Sequence, residues 1–542
     1  MKRITLGTIG LVLAATALAG CGGSDDSGSG GGNGANGGGG GDAEYADGGT
    51  FTLGFSSDPG NLDPQMGAGS ALFAVTQFAY DPLVSVDGET GEIKSGLATS
   101  WEATDTTVTL TLADGITCAD GDAMTPSVVA DNLNFVANPK NQSPLLGTFL
   151  PVGVKATGDD ATGTVTLTLA DPAPFVLNGL GSLPMVCPKG LADRGSLKTA
   201  TDGTGPFELT EAAPGDHYTY TKREGYTWGP DGATTDTKGL PDTVVMKVVE
   251  NETTAANLLL SGGLTAAQVA GPDAERLEKS GLFVAETPAI TGEQWYNHAE
   301  GRATSDPKVR MALTQALDLE ELQKVLTSGK GTGATTLATN EPISCVGDSV
   351  SGSLPGNDPD AAGALLDEAG WTLGSDGVRT KDGEPLDLVF LYQNNTGAAG
   401  DAAAELAVQQ WKEVGVQATA KAQNETTLTG TIFSAGDWDV TWVSLNVNSP
   451  DQLTPFLSGP GLADGGTNFS GIDNADYTDA VTSATSMNGT EGCDTWLDAE
   501  SKLVAAGDIV PFANNQVKTF GNGAEFEYPG TFMPTSVRML AK

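Results

Sequence analysis

Between Leu386 and Ala420 the chain spells strand, helix, strand, and no other stretch narrows the fold as much. Leu386–Leu391 is a short apolar run, Asp401 stands where a helix carried to Val414 would be capped, Gly415 stops that helix, and Val416–Ala420 reads as a second strand. A connection of this length is no hairpin, so the two strands lie parallel and are joined by a right-handed crossover. That places the chain in the α/β class. Ligands of open α/β sheets sit beyond the carboxyl ends of strands, which points at Tyr392-Gln393-Asn394-Asn395-Thr396-Gly397. An ordinary polar loop has the same composition, and both readings stand. A further strand, Trp438–Val443, runs into Ser444-Leu445-Asn446-Val447-Asn448-Ser449-Pro450, where two tryptophans meet a run of uncharged amides.

The rest of the second half alternates in the same way. Asp306 with Pro307, Asp318 with Glu321, and Asp358 with Pro359 each open a helix, the last running over 361–369 to Gly370. The first half reads as strands instead. Val108-Thr-Leu-Thr-Leu-Ala-Asp114 alternates apolar and polar residues, and Val165-Thr-Leu-Thr-Leu-Ala-Asp171 repeats the same seven letters, as two similar half-buried hairpin strands would. Roughly 490 residues follow Gly48, too many for one core, so two or three subdomains are expected.

The beginning of the chain sets a compartment. Lys2 and Arg3 precede the apolar stretch Ile4–Leu18, which is too short for a mature spanning helix and has the layout of a secretory signal over residues 1–20. Leu18-Ala19-Gly20-Cys21 resembles the bacterial lipobox, whose cysteine is acylated, and the glycine-rich run from 21 to 47 suits a flexible tether with a reach on the order of 30 Å. An ordinary cleavage site that happens to lie beside a cysteine is the plainer alternative. Stable anchoring takes more than one acyl chain. The other four cysteines, Cys118, Cys187, Cys345 and Cys493, form two disulfides in such a compartment. Three connectivities are open, and Cys118–Cys187 with Cys345–Cys493 follows if each half folds as a unit.

A formal net charge of −42 repels phosphate backbones and excludes nucleic acid as a partner; otherwise it reads as solubility. The two histidines, His217 and His298, belong to no metal-ligand spacing, and the cysteines show no CxxC, so neither a metal nor a cofactor is expected. No Gly-x-Ser-x-Gly is present. Ser305-Asp-Pro-Lys308 matches Ser-x-x-Lys without the companion motifs of a serine hydrolase, and reads as a helix cap.

An ordered series of short blocks carries a resemblance. Phe51-Thr-Leu-Gly-Phe-Ser-Ser-Asp-Pro59 with Asn61-Leu-Asp-Pro64 comes first, then Tyr80-Asp-Pro-Leu-Val84 and Leu97-Ala-Thr-Ser-Trp-Glu102. Asp120-Gly-Asp-Ala-Met-Thr-Pro126, Gly203-Thr-Gly-Pro-Phe207, Tyr296-Asn297, Asp306-Pro-Lys-Val-Arg-Met-Ala-Leu313, Ala316-Leu-Asp318 and Asn468-Phe-Ser-Gly471 with Asp476-Tyr477 follow. Each is weak alone. In order, they resemble the extracellular solute-binding proteins of family 5, the oligopeptide, dipeptide and nickel type that serve ABC importers.

The resemblance implies a two-lobe, type II periplasmic-binding-protein-like fold with an extra β-rich subdomain. Lobe I would take residues 48–292 and 508–542, with the subdomain over about 66–202, and lobe II residues 293–507. It implies a monomer that holds a solute between its lobes and passes it to a permease and ATPases on other chains, touching the membrane through the lipid alone. The implied ligand residues are Ser56, Tyr296, Asn297, Asn394, Asn395, Trp438, Trp442, Leu445, Asn446 and Asn448. Peptide-binding members place an ammonium-anchoring aspartate three residues after the tryptophan of this strand, and here that position is Leu445. An ammonium left unpaired there would cost about 2–5 kcal/mol. Peptides in another register, anchored by Asp451 or another acid, N-blocked peptides, and neutral oligosaccharides stacked on tryptophan therefore stay open, with peptide first. A secreted hydrolase and a purely adhesive lipoprotein are the remaining classes.

Overall fold

The structure, a computed structural model, describes residues 44–541 apart from 68, 89, 488 and 529–531. The signal segment, Cys21 and most of the expected tether lie outside the described residues.

One sheet runs through the whole body. Its strands are β1 (Thr50–Phe55), β2 (Phe207–Ala213), β3 (His217–Lys222), β4 (Thr243–Val248), β5 (Ala266–Gln268), β6 (Phe283–Tyr296), β7 (Asp387–Gln393), β8 (Gln417–Gln423), β9 (Val440–Trp442) and β10 (Ile509–Gly521). Across the sheet they lie in the order β8–β7–β9–β6–β10–β5–β1–β4–β3–β2. Strands β7 and β8 pair in parallel from Asp387↔Gln417 to Gln393↔Gln423, with β9 parallel on the other side of β7. The strand–helix–strand unit is thus as the pattern at Leu386–Ala420 predicts.

Period-two alternation explains why β7 stands at the centre of a lobe. Leu388 and Phe390 face a core shared with Ala403, Ala404, Ala407 and Trp411 of the helix Gly397–Glu413, while Leu391 faces a second core with Trp438 and Trp496. Burying each such side chain contributes about 1.5–3 kcal/mol. The helix starts four residues before Asp401. Gly400 permits this, because a Cβ there would collide with Thr396 Oγ1. The Asp401 carboxylate, expected as a cap, instead accepts from Tyr392 Oη at 2.8 Å. Asp306, Asp318 and Asp358 do cap their helices, accepting from the amides of Lys308, Glu321 and Ala361.

Strands β6 and β10 tie the two lobes together. They pair antiparallel from Phe283↔Gly521 to Trp295↔Ile509. At one end β5 joins them and brings β1 to β4; at the other β9 brings β7 and β8. The register slips between Ile290 and Gly292 and again before Glu293. A bulge bends a strand and raises its twist, and here only glycine fits: a Cβ on Gly292 would lie 2.6 Å from the Phe512 ring and 2.8 Å from Ala513 Cβ.

In lobe I, Phe51, Phe78, Tyr220, Phe526 and Phe532 fill one core. A four-stranded sheet beside it, with the helix Pro126–Ala137, forms the β-rich subdomain. The twin heptads pair with each other there, Val108↔Leu167 and Leu110↔Val165, with those four side chains fully buried and the threonines outward. Tyr226 and Trp228, beyond the expected limit at 202, close this core. Cys118 bonds to Cys187 and Cys345 to Cys493, so each disulfide stays within its own half.

Candidate functional site

The lobes meet along a seam on either side of the β6 bulge. At its edge, Glu425 of lobe II accepts from the Ser70 amide at 2.6 Å and from Ser70 Oγ at 2.7 Å, and Thr426 Oγ1 donates to the Asp58 carbonyl at 2.7 Å. A cavity of about 140 Å³ lies behind these contacts, lined by Pro59, Asn61 and Leu72 from one lobe and Glu425, Thr426 and Thr429 from the other. Further along, Phe175 of the lobe I subdomain packs into the lobe II core that holds Ile290, Leu337 and Val443, with Leu445 and Val447 against it.

The loop 444–450 is pinned to the bulge on both sides. Asn446 Oδ1 accepts from the Ile290 amide at 2.9 Å and from Thr339 Oγ1 at 3.1 Å, and its Nδ2 donates to the Ile290 carbonyl at 3.3 Å. The Leu445 amide donates to Glu293 Oε2 at 2.8 Å. Any solute that reorders this loop therefore acts directly on the backbone where the lobes change over.

The candidate residues divide into four groups. Leu445, Asn446 and Asn448 sit together on this loop, where Asn448 Oδ1 is buried without a hydrogen-bond partner. Ser56 is exposed at the end of β1, two residues before Asp58. Asn394 and Asn395 are exposed at the carboxyl end of β7, with Asn395 Nδ2 donating to Gln393 Oε1 at 3.1 Å.

The other four lie in the interior of lobe II. Trp442 packs on Phe390 and Phe512 with centroids 4.9 and 5.1 Å away, and donates to Gln294 Oε1 at 3.0 Å. Tyr296 Oη shares hydrogen bonds with Gln294 Nε2 and Thr314 Oγ1. Asn297 Nδ2 donates to the Gly436 and Trp438 carbonyls, and Trp438 itself is fully buried beside Phe469. With both indoles inside, the loop offers no tryptophan face for a sugar ring to stack on.

Sequence reasoning missed two buried acids. Glu293 and Glu500 are buried, and burial pushes their carboxyls up to about 8 and about 7. Asp451, which the sequence offers as one open anchor, has a buried Oδ1 and is raised to about 6 for the same reason. In 69 acidic residues nothing in the letters singles out Glu293 or Glu500; only the fold reveals which ones lose water. Glu425 and Ser70 escaped for the same reason, lying 355 positions apart. His298 is half-buried with its Nε2 enclosed, and loss of water with Arg310 nearby lowers its imidazole to about 3, so it is neutral, whereas His217 is raised by Asp216 and Glu211. Among the described residues no group of three or more His, Cys, Asp or Glu is placed to hold a metal ion.

A family model described as bacterial extracellular solute-binding proteins, family 5 Middle, matches residues 92–462. Protein XP55 of Streptomyces lividans is 28% identical over 380 residues, 64% of this chain, and the match spans 62% of that relative's length. The glutathione-binding protein GsiB of Escherichia coli K12 is 28% identical over 375 residues, 67% of each chain. Among solved structures, a substrate-binding protein of Microbacterium hydrocarbonoxydans complexed with 4-hydroxybenzoate hydrazide superposes with a TM-score of 0.77 at 28% identity, over 90% of this chain and 99% of that one.

Proposed function

This chain belongs to the bacterial extracellular solute-binding proteins of family 5, and from that premise we propose that it captures a peptide or peptide-like solute between its lobes and delivers it to an ABC importer. The observation that carries the reading is the seam. Two lobes joined by a bulged pair of strands touch at Ser70–Glu425 and Asp58–Thr426, and the loop 444–450 holds the bulge through Asn446. Such a body stores its binding energy in hinge closure. It needs no catalytic group.

Peptide-like cargo is favoured by the relative named for glutathione and by a loop whose unpartnered buried polar atoms, Asn448 Oδ1 and Ser449 Oγ, carry no charge. A second reading, a small aromatic acyl compound, is favoured by the similar structure that holds 4-hydroxybenzoate hydrazide. The buried positions of Trp438 and Trp442 count against a stacked oligosaccharide.

Lys2, Arg3, the apolar stretch to Leu18 and the lipobox-like Leu18-Ala19-Gly20-Cys21 support acylation of Cys21 and a tether over 21–47. The monomer would then work at the outer face of the cell membrane, beside a permease and ATPases made of other chains. Incorporation of an alkyne-tagged palmitate that Cys21→Ala abolishes is the expected result.

Differential scanning calorimetry with glutathione, tri-alanine and 4-hydroxybenzoate hydrazide tests the cargo. A ligand at 100 times its dissociation constant adds about 2.7 kcal/mol. Stabilisation by a tripeptide supports the first reading, by the hydrazide alone the second, and by none of them neither.

A further inference from the structure

We propose that Thr339 is a positioning residue for lobe closure. From a strap over 339–345 its hydroxyl holds the β6 bulge and the loop 444–450 in one arrangement, and solute affinity depends on that hydroxyl. This rests on the capture reading above and adds to it the residue through which closure is transmitted.

Residues 327–358, between the helices Leu319–Leu326 and Pro359–Glu368, form neither helix nor strand. Connections longer than about 12–15 residues without secondary structure are uncommon in compact bodies, and are usually functional or disordered. This one is packed: Leu337 is fully buried, and Ala334, Thr339 and Cys345 are at most 4% exposed.

Three parts of the molecule converge on the strap. At the bulge, Thr339 Oγ1 accepts from the Ile290 amide at 3.2 Å and donates to Asn446 Oδ1 at 3.1 Å. Asn446 Oδ1 also accepts from that amide, so the hydroxyl closes a triangle between strand and loop. Along the loop, the Thr339 and Asn340 amides both donate to the Val447 carbonyl, at 3.0 and 2.9 Å. Asn340 Nδ2 donates to the Asn446 carbonyl at 3.1 Å, and the Ser344 amide to the Asn448 carbonyl at 2.8 Å. Against lobe I, Pro342 meets the turn between the strands Val84–Val86 and Ile93–Ser95: a Cβ on Gly91 would lie 3.3 Å from Pro342 Cβ and Cγ. The strap ends at Cys345, bonded to Cys493 at the start of the helix Cys493–Ala505.

A covalent bond thus fixes one end of the strap to lobe II, while Pro342 keeps its place against Gly91 only as long as the lobes stay together. A solute that moves the loop moves the strap through the three carbonyls, and the strap presses on lobe I. Thr339 is where the same movement reaches the bulge. Valine in its place keeps the shape and loses the hydroxyl, so strand and loop are left with the Asn446 contacts alone.

Isothermal titration with glutathione and tri-alanine, and small-angle scattering of the solute-free proteins, compare the wild type, Thr339→Val and Thr339→Ser. Loss of a buried hydroxyl's bonds is expected to make Thr339→Val bind about tenfold more weakly, while Thr339→Ser stays within about twofold. Thr339→Val is also expected to have the larger solute-free radius of gyration, with Thr339→Ser matching the wild type. A structural role alone would lower the melting temperature of Thr339→Val and leave the affinity of the folded protein unchanged; that result overturns the proposal. If the wild type binds neither peptide, the peptide reading falls by itself and scattering decides: a larger radius for Thr339→Val supports the strap, and an unchanged one overturns it too. If Thr339→Val does not fold, Pro342→Ala, which removes the strap's contact with lobe I, takes its place with the same expected and contrary results.

Discussion

Replacing Glu500 by Gln is expected to flatten the fall in the protein's stability between about pH 4.5 and 7. The Glu500 side chain is 3% exposed, and its Oε2 accepts from Ser349 Oγ at 2.5 Å and the Leu337 amide at 3.3 Å. Burial is the largest influence on its carboxyl and raises it to about 7 from an ordinary value of about 4.5, against the opposing pull of those two donors. The folded pKa lies above the unfolded one, so the folded state holds the proton longer. Its stabilising share is full below about pH 4.5 and is lost as pH rises through about 7. A difference of that size is worth about 3 kcal/mol at 1.36 kcal/mol per unit. With an unfolding entropy of about 2.1 cal/mol/K per residue, a body of some 490 residues moves by about 3 °C. Scanning calorimetry of both proteins from pH 4.5 to 8.5 should show Tm values that agree at the acid end and separate to about 3 °C in favour of Glu500→Gln by pH 8. Glu293 titrates in an overlapping window and the Glu500 charge raises it further, so the difference reads Glu500 together with its coupling to Glu293. Parallel curves across the range would refute the burial argument.

Three further outcomes test other links. Glu425→Ala removes the acceptor for both Ser70 donors at an exposed edge; an effect of about 1 kcal/mol should speed solute release about fivefold in stopped-flow tryptophan fluorescence and leave association unchanged. Trp442→Phe should cost about 1–3 kcal/mol in denaturant unfolding, through the lost bond to Gln294 and lost packing, with solute affinity kept within twofold. Removing the Cys345–Cys493 bond, which closes 148 residues, should cost up to about 5 kcal/mol, against about 4 for Cys118–Cys187, which closes 69; urea midpoints of the two double Cys→Ala variants read the order.

The second lobe was the most legible part of the chain, for a physical reason. At Leu386–Ala420 local periodicity, a glycine stop and the length of the connection all agree on parallel strands, and the three Asp caps rest on side chain–backbone bonds a few residues apart. Legibility failed where a distant partner outbid the local one. Asp401 looks like a cap, but Tyr392 takes its carboxylate. Trp438 and Trp442 look like a recognition surface because tryptophan beside amides often is one; Phe390, Phe512 and Phe469, contributed from far along the chain, bury them instead. Leu445 and Asn446 share one loop, but their hydrogen-bond partners Glu293 and Ile290 lie more than 150 positions earlier, beyond the reach of local pattern. The bulge left only Gly292 as a trace, and a lone glycine does not announce a hinge.

Small-angle scattering of solute-free protein, repeated with a tripeptide at a concentration that calorimetry shows to be saturating, tests the lobe-closure account most directly. The account predicts that the radius of gyration falls on saturation, and that Glu425→Ala, which lacks the contact to Ser70, is the more open of the two proteins before the peptide is added. Superimposable scattering curves with and without a saturating peptide would contradict it.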